Sequence, residues 1–208
     1  MQDRLLLEVG QLADRMRRRL HPTGRVTFVV DRNVNYSNIC LAGCSFCAFY
    51  RAPGAEGGYL LTHEQILGKV AELVAQGGTQ LLLQGGLHPE LTIGWFEELF
   101  QQIRSPFLRC RFIPFHRRVM HIATLSGLTI ADCLKRLRAA GLASLPGGGA
   151  ELLVDEVRQR ISPGKIGWKQ WAQVMGEAHA QGMPTTATMV FGFGEEPSQI
   201  VEHLFPPS

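Results

Sequence analysis

The sequence predicts an α/β fold, a partial (βα) barrel in which parallel strands alternate with helices that cover the outside. Two observations support this. Short runs of apolar and β-branched residues alternate with segments of helical period, and polar or glycine-rich turns follow the predicted strands. About five βα units are visible, whereas a complete eight-unit barrel needs about 250 residues. With 208 residues, the chain is expected to be a partial barrel or a fragment that ends too soon for a sixth complete unit.

The first part of the chain supplies an amphipathic helix near Leu5 to Arg19 and a first strand at Val26–Val30. A second helix is predicted from about His63 to Gln76. Thr62 is its N-cap and Gln65 stands at N3, which together form a capping box. The polar stretch and cysteine-rich loop between this strand and helix are therefore expected at the carboxyl end of the first strand.

The remaining predicted strands are, in order, Gln80–Leu83, Arg109–Ile113, Ala143–Leu145 and Thr185–Phe191. The helices between them are one capped by Thr92, one capped by Thr129 with Asp132 at N3, and a long one carrying Trp168, Trp171, Val174 and Ala178. Ligands of open parallel sheets bind at the carboxyl ends of the strands. We therefore look for a site in the loops that follow these strands.

Composition restricts the classes of function. Hydrophobic residues make up 45% of the chain and charged residues 19%, and the net charge is +3. This is typical of a folded domain and too weakly basic for a dedicated nucleic-acid or membrane-surface binder. We interpret Arg15, Arg17, Arg18 and Arg19 as a solvated helix face. No apolar stretch approaches the ~20 residues that cross a bilayer, so we expect a cytoplasmic protein with an N-terminal helix over 1–25 and one domain over 26–208.

Three of the five cysteines lie close together, at Cys40, Cys44 and Cys47, while Cys110 and Cys133 stand alone. An odd count without a secretion signal argues against a disulfide framework. An electron-transfer [4Fe-4S] cluster usually has four cysteine ligands, so three would leave one iron open to a small molecule. The spacing favours an iron–sulfur site that does chemistry.

The alternative is a zinc site, and with it a non-enzymatic zinc-binding module. Zinc would need a fourth ligand, which His88, His116 or Cys110 could supply. Zinc ribbons bring paired cysteines on two knuckles, and this sequence has no second C-x-x-C to pair with the first. We therefore favour the cluster over zinc.

The cysteine loop, with the aromatic Phe46 before its third cysteine, resembles the cluster-binding signature of the radical S-adenosylmethionine (SAM) superfamily. The resemblance implies a [4Fe-4S] cluster held by the three cysteines, with SAM bound at the open iron and cleaved to a 5'-deoxyadenosyl radical. Gln84, Gly85 and Gly86 match the family's glycine-rich motif, where backbone carbonyls approach the SAM amino group. Glu151 is expected to accept hydrogen bonds from ribose hydroxyls.

Within the superfamily, several segments look like the cyclic dehypoxanthine futalosine synthase family of menaquinone biosynthesis: 26–40, 47–51, 84–90, 144–153, 160–165 and 185–192. The implied reaction is an intramolecular cyclisation of dehypoxanthine futalosine, with a flavodoxin or ferredoxin as electron donor. Asn33, Tyr36 and His88 are the substrate-side candidates. The alternatives are an aminofutalosine synthase, a deazaflavin-cofactor radical SAM enzyme and an inactive truncated remnant.

Two places depart from the family pattern. Between 105 and 118 the sequence loses the resemblance, and Arg118 stands where relatives would carry Glu; the pattern resumes at Val119. We hypothesise a local frameshift there. Relatives also continue beyond Leu204, so we expect residues 205–208 to be a spurious tail of a shortened chain.

Overall fold

The computed structural model describes the backbone of residues 2–104, 111–114 and 116–205, and the side chains of 5–104 and 118–205. Its elements, in chain order, are α1 (Gln2–Leu20), β1 (Asp31–Asn35), α2 (His63–Ala75), β2 (Gln80–Gln84), α3 (Ile93–Arg104), β3 (Arg111–Pro114), α4 (His116–Leu125), α5 (Ile130–Ala140), α6 (Asp155–Ile161), α7 (Trp168–Ala180) and α8 (Pro197–Leu204). The predicted α/β class is confirmed.

The described strands form one parallel sheet in the order β1-β2-β3. Asp31 pairs with Gln80, and Leu81 pairs with Phe112. Helices connect the strands, as parallel pairing requires. Both β1 and β2 therefore end at the same edge of the sheet, where Asn35 lies beside Gln84.

The predicted caps hold α2 and α5 in place. The Thr62 hydroxyl accepts from the backbone N–H of Gln65 at 3.2 Å, and the Gln65 side chain accepts from the backbone N–H of Thr62 at 2.9 Å. The Thr129 hydroxyl accepts from the backbone N–H of Asp132 at 3.0 Å. At the start of α3, however, the N–H of Ile93 donates to the Ser126 hydroxyl at 2.9 Å, so Ser126 satisfies this helix end from a distant turn.

The first strand was predicted wrongly at Val26–Val30. This apolar run lies outside the sheet, with Val26 89% and Phe28 87% exposed, and the strand is the polar Asp31–Asn35 instead. The reason is the partner strand, because β2 begins only at Gln80. Upstream residues have no strand to pair with, and the carbonyl of Val30 makes the last contact by accepting from the N–H of Thr79 at 3.1 Å.

The predicted strands at 143–145 and 185–191 are reduced to one parallel bridge between Leu145 and Thr185. Beyond that bridge, side chains replace the backbone ladder. The Thr186 hydroxyl accepts from the N–H of Gly147 at 2.9 Å, and the Thr188 hydroxyl donates to the carbonyl of Gly147 at 2.8 Å. The two segments still run side by side, but the turn at Gly147 prevents a regular strand pair. The third predicted strand begins at Arg111; residues 109–110 lie outside the described part.

The main core fills the space between the sheet and the helices. Val34, Leu81 and Leu83 from the sheet are buried together with the inward faces of α2, α3, α5 and α7. The predicted inward residues include Leu99 and Ile103 of α3 and Val174 and Ala178 of α7, all buried. No helix in the described ranges combines the length and the apolar character that a membrane crossing requires.

Candidate active site

A cavity of about 260 Å³ lies at the carboxyl ends of β1 and β2. Three segments that are distant in sequence form most of its wall: the cysteine loop, the turn after β2 and the glycine-rich turn before Glu151. The lining residues from these segments are Cys40, Cys44, Phe46, Cys47, Gln84, Gly85, Gly86, Leu87, Gly148, Gly149 and Glu151. The position agrees with the strand-end site expected of open parallel sheets.

Cys40 anchors the cysteine loop to the end of the sheet. Its backbone N–H donates to the Arg51 carbonyl at 2.9 Å. Its sulfur accepts backbone N–H groups from Leu87 at 3.2 Å and Ala42 at 3.4 Å. Such donors stabilise a thiolate and tune the potential of an iron–sulfur cluster bound to it.

The rest of the loop is held by the segment around α6. The Ser45 backbone N–H and hydroxyl both donate to the Ile161 carbonyl, at 2.9 and 3.2 Å. The N–H of Gly164 donates to the Ala42 carbonyl at 3.2 Å, and a Cβ at Gly164 would lie 2.8 Å from the Ala42 Cα. The path of the cysteine loop is therefore fixed from two sides, by the Cys40 contacts with Arg51 and Leu87 and by the contacts with Ile161 and Gly164.

The Gly85-Gly86 turn approaches the cysteine loop so closely that side chains are excluded. A Cβ at Gly86 would lie 2.6 Å from the carbonyl carbon of Ile39 and 2.7 Å from the Cβ of Cys40. A Cβ at Gly85 would lie 2.6 Å from the ring of Tyr36. Glycine is required at both positions because backbone, cysteine and tyrosine occupy that space.

Arg118 occupies the wall beneath this turn and is 5% exposed. Its guanidinium donates to the Leu83 carbonyl at 2.9 Å and twice to the Gly85 carbonyl, and it lies 4.9 Å from the centroid of the Tyr36 ring. The sequence marked Arg118 as a departure from the family. The structure places its charge on the cavity wall, with donors directed at the carbonyls where β2 ends.

Glu151 also lies on the cavity wall, in an uncommon backbone conformation with φ of 41°. Its Oε1 accepts from Lys165 Nζ, and its Oε2 is buried without a hydrogen-bond partner among the described residues. Lys165 also lies 5.0 Å from the centroid of the Phe46 ring, which packs on Phe193 at 5.1 Å. A buried carboxylate oxygen with no protein partner is placed to accept a ligand hydroxyl.

The three cysteines and the candidates Phe46, Gln84, Gly85, Gly86 and Glu151 thus meet at one cavity. The three substrate-side candidates do not line it. Asn33 is exposed on β1, one pleat further from the strand end than Asn35, which does line the cavity. Tyr36 is 1% exposed beneath Gly85, and burial raises the pKa of its hydroxyl.

His88 is also buried away from the cavity. Its Nδ1 accepts from the N–H of Glu90 at 3.2 Å, and its carbonyl lies 2.8 Å from Nε2 of His121. Burial lowers the pKa of His88. These contacts give His88 a role in fixing the turn after β2.

Sequence reasoning missed Asn35 and Lys165 as cavity residues. Asn35 carried one available signal, because it is the last residue before the predicted loop and shares its strand face with Asn33. Lys165 had no such signal in the sequence, because it lies beside Glu151 only in the folded chain.

The donor set fits a cluster better than a single ion. No three His, Cys, Asp or Glu side chains in the described ranges converge on a point that one metal ion could occupy. A [4Fe-4S] cluster requires a different arrangement, since each cysteine binds a different iron. Of the proposed zinc ligands, His88 lies off the cavity wall, while the side chains of His116 and Cys110 lie outside the described residues.

Fold and site together define an α/β domain with a cysteine-lined cavity at the strand ends. The sequence matches the Radical SAM superfamily over residues 34–205, and the chain belongs to that superfamily. Membership implies a [4Fe-4S] cluster and SAM as cofactors.

Among curated relatives, the chain is 44% identical over 198 residues to a cyclic dehypoxanthine futalosine synthase of Halalkalibacterium halodurans, covering 95% of this chain and 54% of that protein. It is 42% identical over 203 residues to a 5-amino-6-(D-ribitylamino)uracil–L-tyrosine 4-hydroxyphenyl transferase of Synechocystis, covering 94% and 51%. The chain spans about half the length of these relatives.

Solved structures share the fold at low sequence identity. Methylornithine synthase (PylB) aligns with a TM-score of 0.67 at 18% identity, covering 84% of this chain and 48% of that one. The [FeFe]-hydrogenase maturase HydG aligns with a TM-score of 0.64 at 16% identity, covering 85% and 38%. These similarities support the expected partial barrel of the radical SAM type.

Proposed function

We propose that this chain carries the cofactor site of a radical SAM enzyme that cyclises dehypoxanthine futalosine to cyclic dehypoxanthine futalosine. The observation that carries the proposal is the single cavity shared by three thiols, the Gln84–Gly86 turn and Glu151. In this assignment Cys40, Cys44 and Cys47 hold the cluster.

The residues on the wall fit both cofactors. Cys40 already accepts two backbone N–H groups, which suits a thiolate ligand. The close-packed Gly85-Gly86 turn leaves backbone and no side chain at the cavity surface. Bound together, the reduced cluster and SAM would supply a 5'-deoxyadenosyl radical that removes hydrogen from the substrate.

The protein's own part is to bind, orient and exclude water. Oε2 of Glu151 is placed to accept from ribose hydroxyls, because it is buried and has no protein partner in the described ranges. Phe46 and Phe193 form an apolar stack beside the thiols. Phe46 is 42% exposed in this structure, so it would keep water and stray hydrogen donors from a reactive intermediate only with the cofactors bound over it.

Relatives named cyclic dehypoxanthine futalosine synthase support the substrate, with 44% identity in Halalkalibacterium halodurans and 37% in Streptomyces coelicolor. The polar approach to Cys40, the turn from Gln84 to Pro89 and the triple glycine at 147–149 are the segments that favour the cyclase. The transferase is the second candidate, because its 42% identity is nearly as high.

An anaerobic assay tests the proposal and separates these activities. The chain is reconstituted with iron and sulfide, reduced with dithionite in place of the flavodoxin or ferredoxin we expect, and given SAM with one of two substrate sets. One set is dehypoxanthine futalosine; the other is 5-amino-6-(D-ribitylamino)uracil with L-tyrosine. We expect 5'-deoxyadenosine and a cyclised product two hydrogens lighter than its substrate, from the first set alone: one hydrogen leaves in 5'-deoxyadenosine, and the cyclised radical then loses an electron and a proton.

Other results have defined meanings. Turnover of the uracil and tyrosine would assign the transferase instead. 5'-Deoxyadenosine without either product would support the cofactor site and show either that the substrate wall is incomplete in this chain or that both substrates are wrong, which the same assay on a C-terminally extended version separates. A bound cluster without any 5'-deoxyadenosine would indicate the inactive remnant, and a chain that binds zinc but no iron and sulfide would indicate the zinc module.

A further inference from the structure

We propose that Lys165 is a positioning residue that fixes the Glu151 carboxylate so that Oε2 faces SAM; this inference rests on the proposed function. The two side chains form a buried ion pair, with 5% of Lys165 and 10% of Glu151 exposed. Lys165 Nζ binds Oε1, and both residues line the cavity. The lysine thereby occupies one carboxylate oxygen and leaves the other for a ligand.

Stability alone does not account for this arrangement. Burying an ion pair has a desolvation cost that its attraction often fails to offset. A buried acceptor without a partner adds to that cost, and so does a non-glycine residue at φ of 41°. Three unfavourable features meet at one residue on the cavity wall. A bound ligand that donates to Oε2 would remove one of them.

Lys165 is itself held rigidly. Its backbone N–H donates to the Ser162 carbonyl at 2.9 Å, and the neighbouring Gly164 is bonded to the cysteine loop at Ala42. The ammonium group lies 5.0 Å from the Phe46 ring centroid, within cation–π range. Because Phe46 stands between Cys44 and Cys47, one lysine contacts both the cysteine loop and the Glu151 carboxylate.

The consequence is a pre-organised acceptor. Without Lys165 the Glu151 side chain would rotate, and SAM binding would have to order it again. Groups that orient metal-ligating side chains typically contribute about 10–100-fold to metal affinity, and we expect an effect of similar size on SAM from the residue that orients Glu151. Lys165→Met should therefore weaken SAM binding by about tenfold or more.

The test is the Kd of SAM, measured by anaerobic calorimetry on the reconstituted protein without reductant, so that no turnover occurs. The variants are Lys165→Met, Glu151→Gln and the double variant, with Lys165→Arg as the charge-conserving change. Lys169→Met is the matched control, because Lys169 is exposed and contacts only the Trp168 ring at 5.6 Å among the described contacts. Iron and sulfide content and the unfolding midpoint are measured for each.

A positioning role predicts non-additive losses. Glu151→Gln and the double variant should bind SAM equally, within about twofold, since Lys165 acts only through Glu151. Lys165→Arg should recover part of the affinity, and Lys169→Met should equal the parent. If Lys165→Met alone is too unstable to assay, comparing Glu151→Gln with the double variant, which buries neither charge, still decides the question.

The failures are distinguishable. A parent protein that carries its cluster and does not bind SAM would overturn the proposed function. A parent that binds SAM no better than Lys165→Met would overturn the positioning role alone. A double variant much weaker than Glu151→Gln would also overturn it, by showing that Lys165 contacts SAM directly.

Discussion

The guanidinium of Arg118 donates two hydrogen bonds to the Gly85 carbonyl, from Nε at 3.2 Å and from Nη2 at 2.6 Å. The oxygen belongs to the Gln84–Gly86 turn, which the resemblance assigns to the SAM amino group, so in the proposed site SAM would share this oxygen with Arg118 or bind another carbonyl of the turn. A glutamate, which the family pattern leads us to expect here, could not donate to that carbonyl. The hydrogen bonds from Arg118 to the Gly85 carbonyl therefore depend on the arginine that replaces the expected glutamate in this chain.

Arg118→Met should destabilise the fold by about 1–3 kcal/mol, because it leaves the Leu83 and Gly85 carbonyls without these donors. Urea unfolding measures the change. Arg136→Met is the control, since Arg136 makes a half-exposed ion pair with Glu97 and should lose about 1 kcal/mol or less. Equal unfolding midpoints for the two variants would contradict the structural importance of Arg118.

Gly86→Ala should reduce both cluster content and stability. The added methyl group meets the Ile39 carbonyl and the Cβ of Cys40, so the cysteine loop must move. Gly68→Ala provides the matched control, because Gly68 lies within α2 with no atom within 4 Å of the added Cβ, and alanine there should stabilise by about 1 kcal/mol. Iron analysis and thermal unfolding of both variants check this; a Gly86→Ala protein with full iron content would argue against the close packing.

Serine at any of Cys40, Cys44 or Cys47 should abolish the iron and sulfide absorbance of the reconstituted protein, because each loses one cluster ligand. Cys133→Ser should keep it, since Cys133 is buried on α5 and its thiol is directed at the Val119 carbonyl. Retained cluster in the loop variants, or loss in Cys133→Ser, would contradict the assignment.

Cys133 should also resist alkylation in the folded protein. Burial raises the pKa of its thiol to about 12, so only about one molecule in ten thousand is thiolate at pH 8, and the thiolate is the reactive form. Mass spectrometry after iodoacetamide treatment should find Cys133 unmodified until urea is added. Rapid labelling under native conditions would show that α5 opens.

Acid should destabilise the protein partly through His203. Its Nδ1 accepts from the N–H of Leu153 at 2.9 Å and so must be unprotonated, and burial, with the nearby charge of Arg158, lowers its pKa below 6.5. Stability from this contact is complete above the unfolded pKa and is lost as the pH falls from 6.5 through the lowered folded value. His203→Gln should give a shallower loss of unfolding free energy between pH 7 and 5, measured by urea unfolding at each pH; a slope equal to that of the parent would contradict this role of His203.

Local signals predicted α1, α2, α3, α5 and α7, whereas α4, α6 and α8 were missed. Thr62 with Gln65 and Thr129 with Asp132 encode their caps within four residues, so neighbours in sequence suffice. The bounds of a strand depend on a partner strand that is distant in sequence, so local signals predict them less well. Val26–Val30 has the composition of a strand, yet pairing begins at Asp31 because β2 begins at Gln80.

The site was predictable where a motif carried it. The cysteine spacing and the Gly85-Gly86 turn located one wall, and Glu151 followed from the resemblance. Lys165 and Arg118 reach the cavity through folding alone, so spacing could not assign them contacts. Tyr36 and His88 lie within motif segments, but Tyr36 is buried beneath Gly85 and His88 is buried in the turn after β2, so neither side chain lines the cavity. That the interval 105–118 reflects a frameshift stays a prediction, which resequencing tests.

The bond from Ser45 to the Ile161 carbonyl joins residues 116 positions apart. A ribosome adds about 5–20 residues per second, so the anchor for the cysteine loop is made roughly ten seconds after the loop itself. Phe193, which packs on Phe46, is made later still. During that interval the newly made thiols have no fixed geometry. We therefore expect cluster delivery to follow synthesis of the C-terminal half, and oxidants to damage the nascent chain more readily than the finished enzyme.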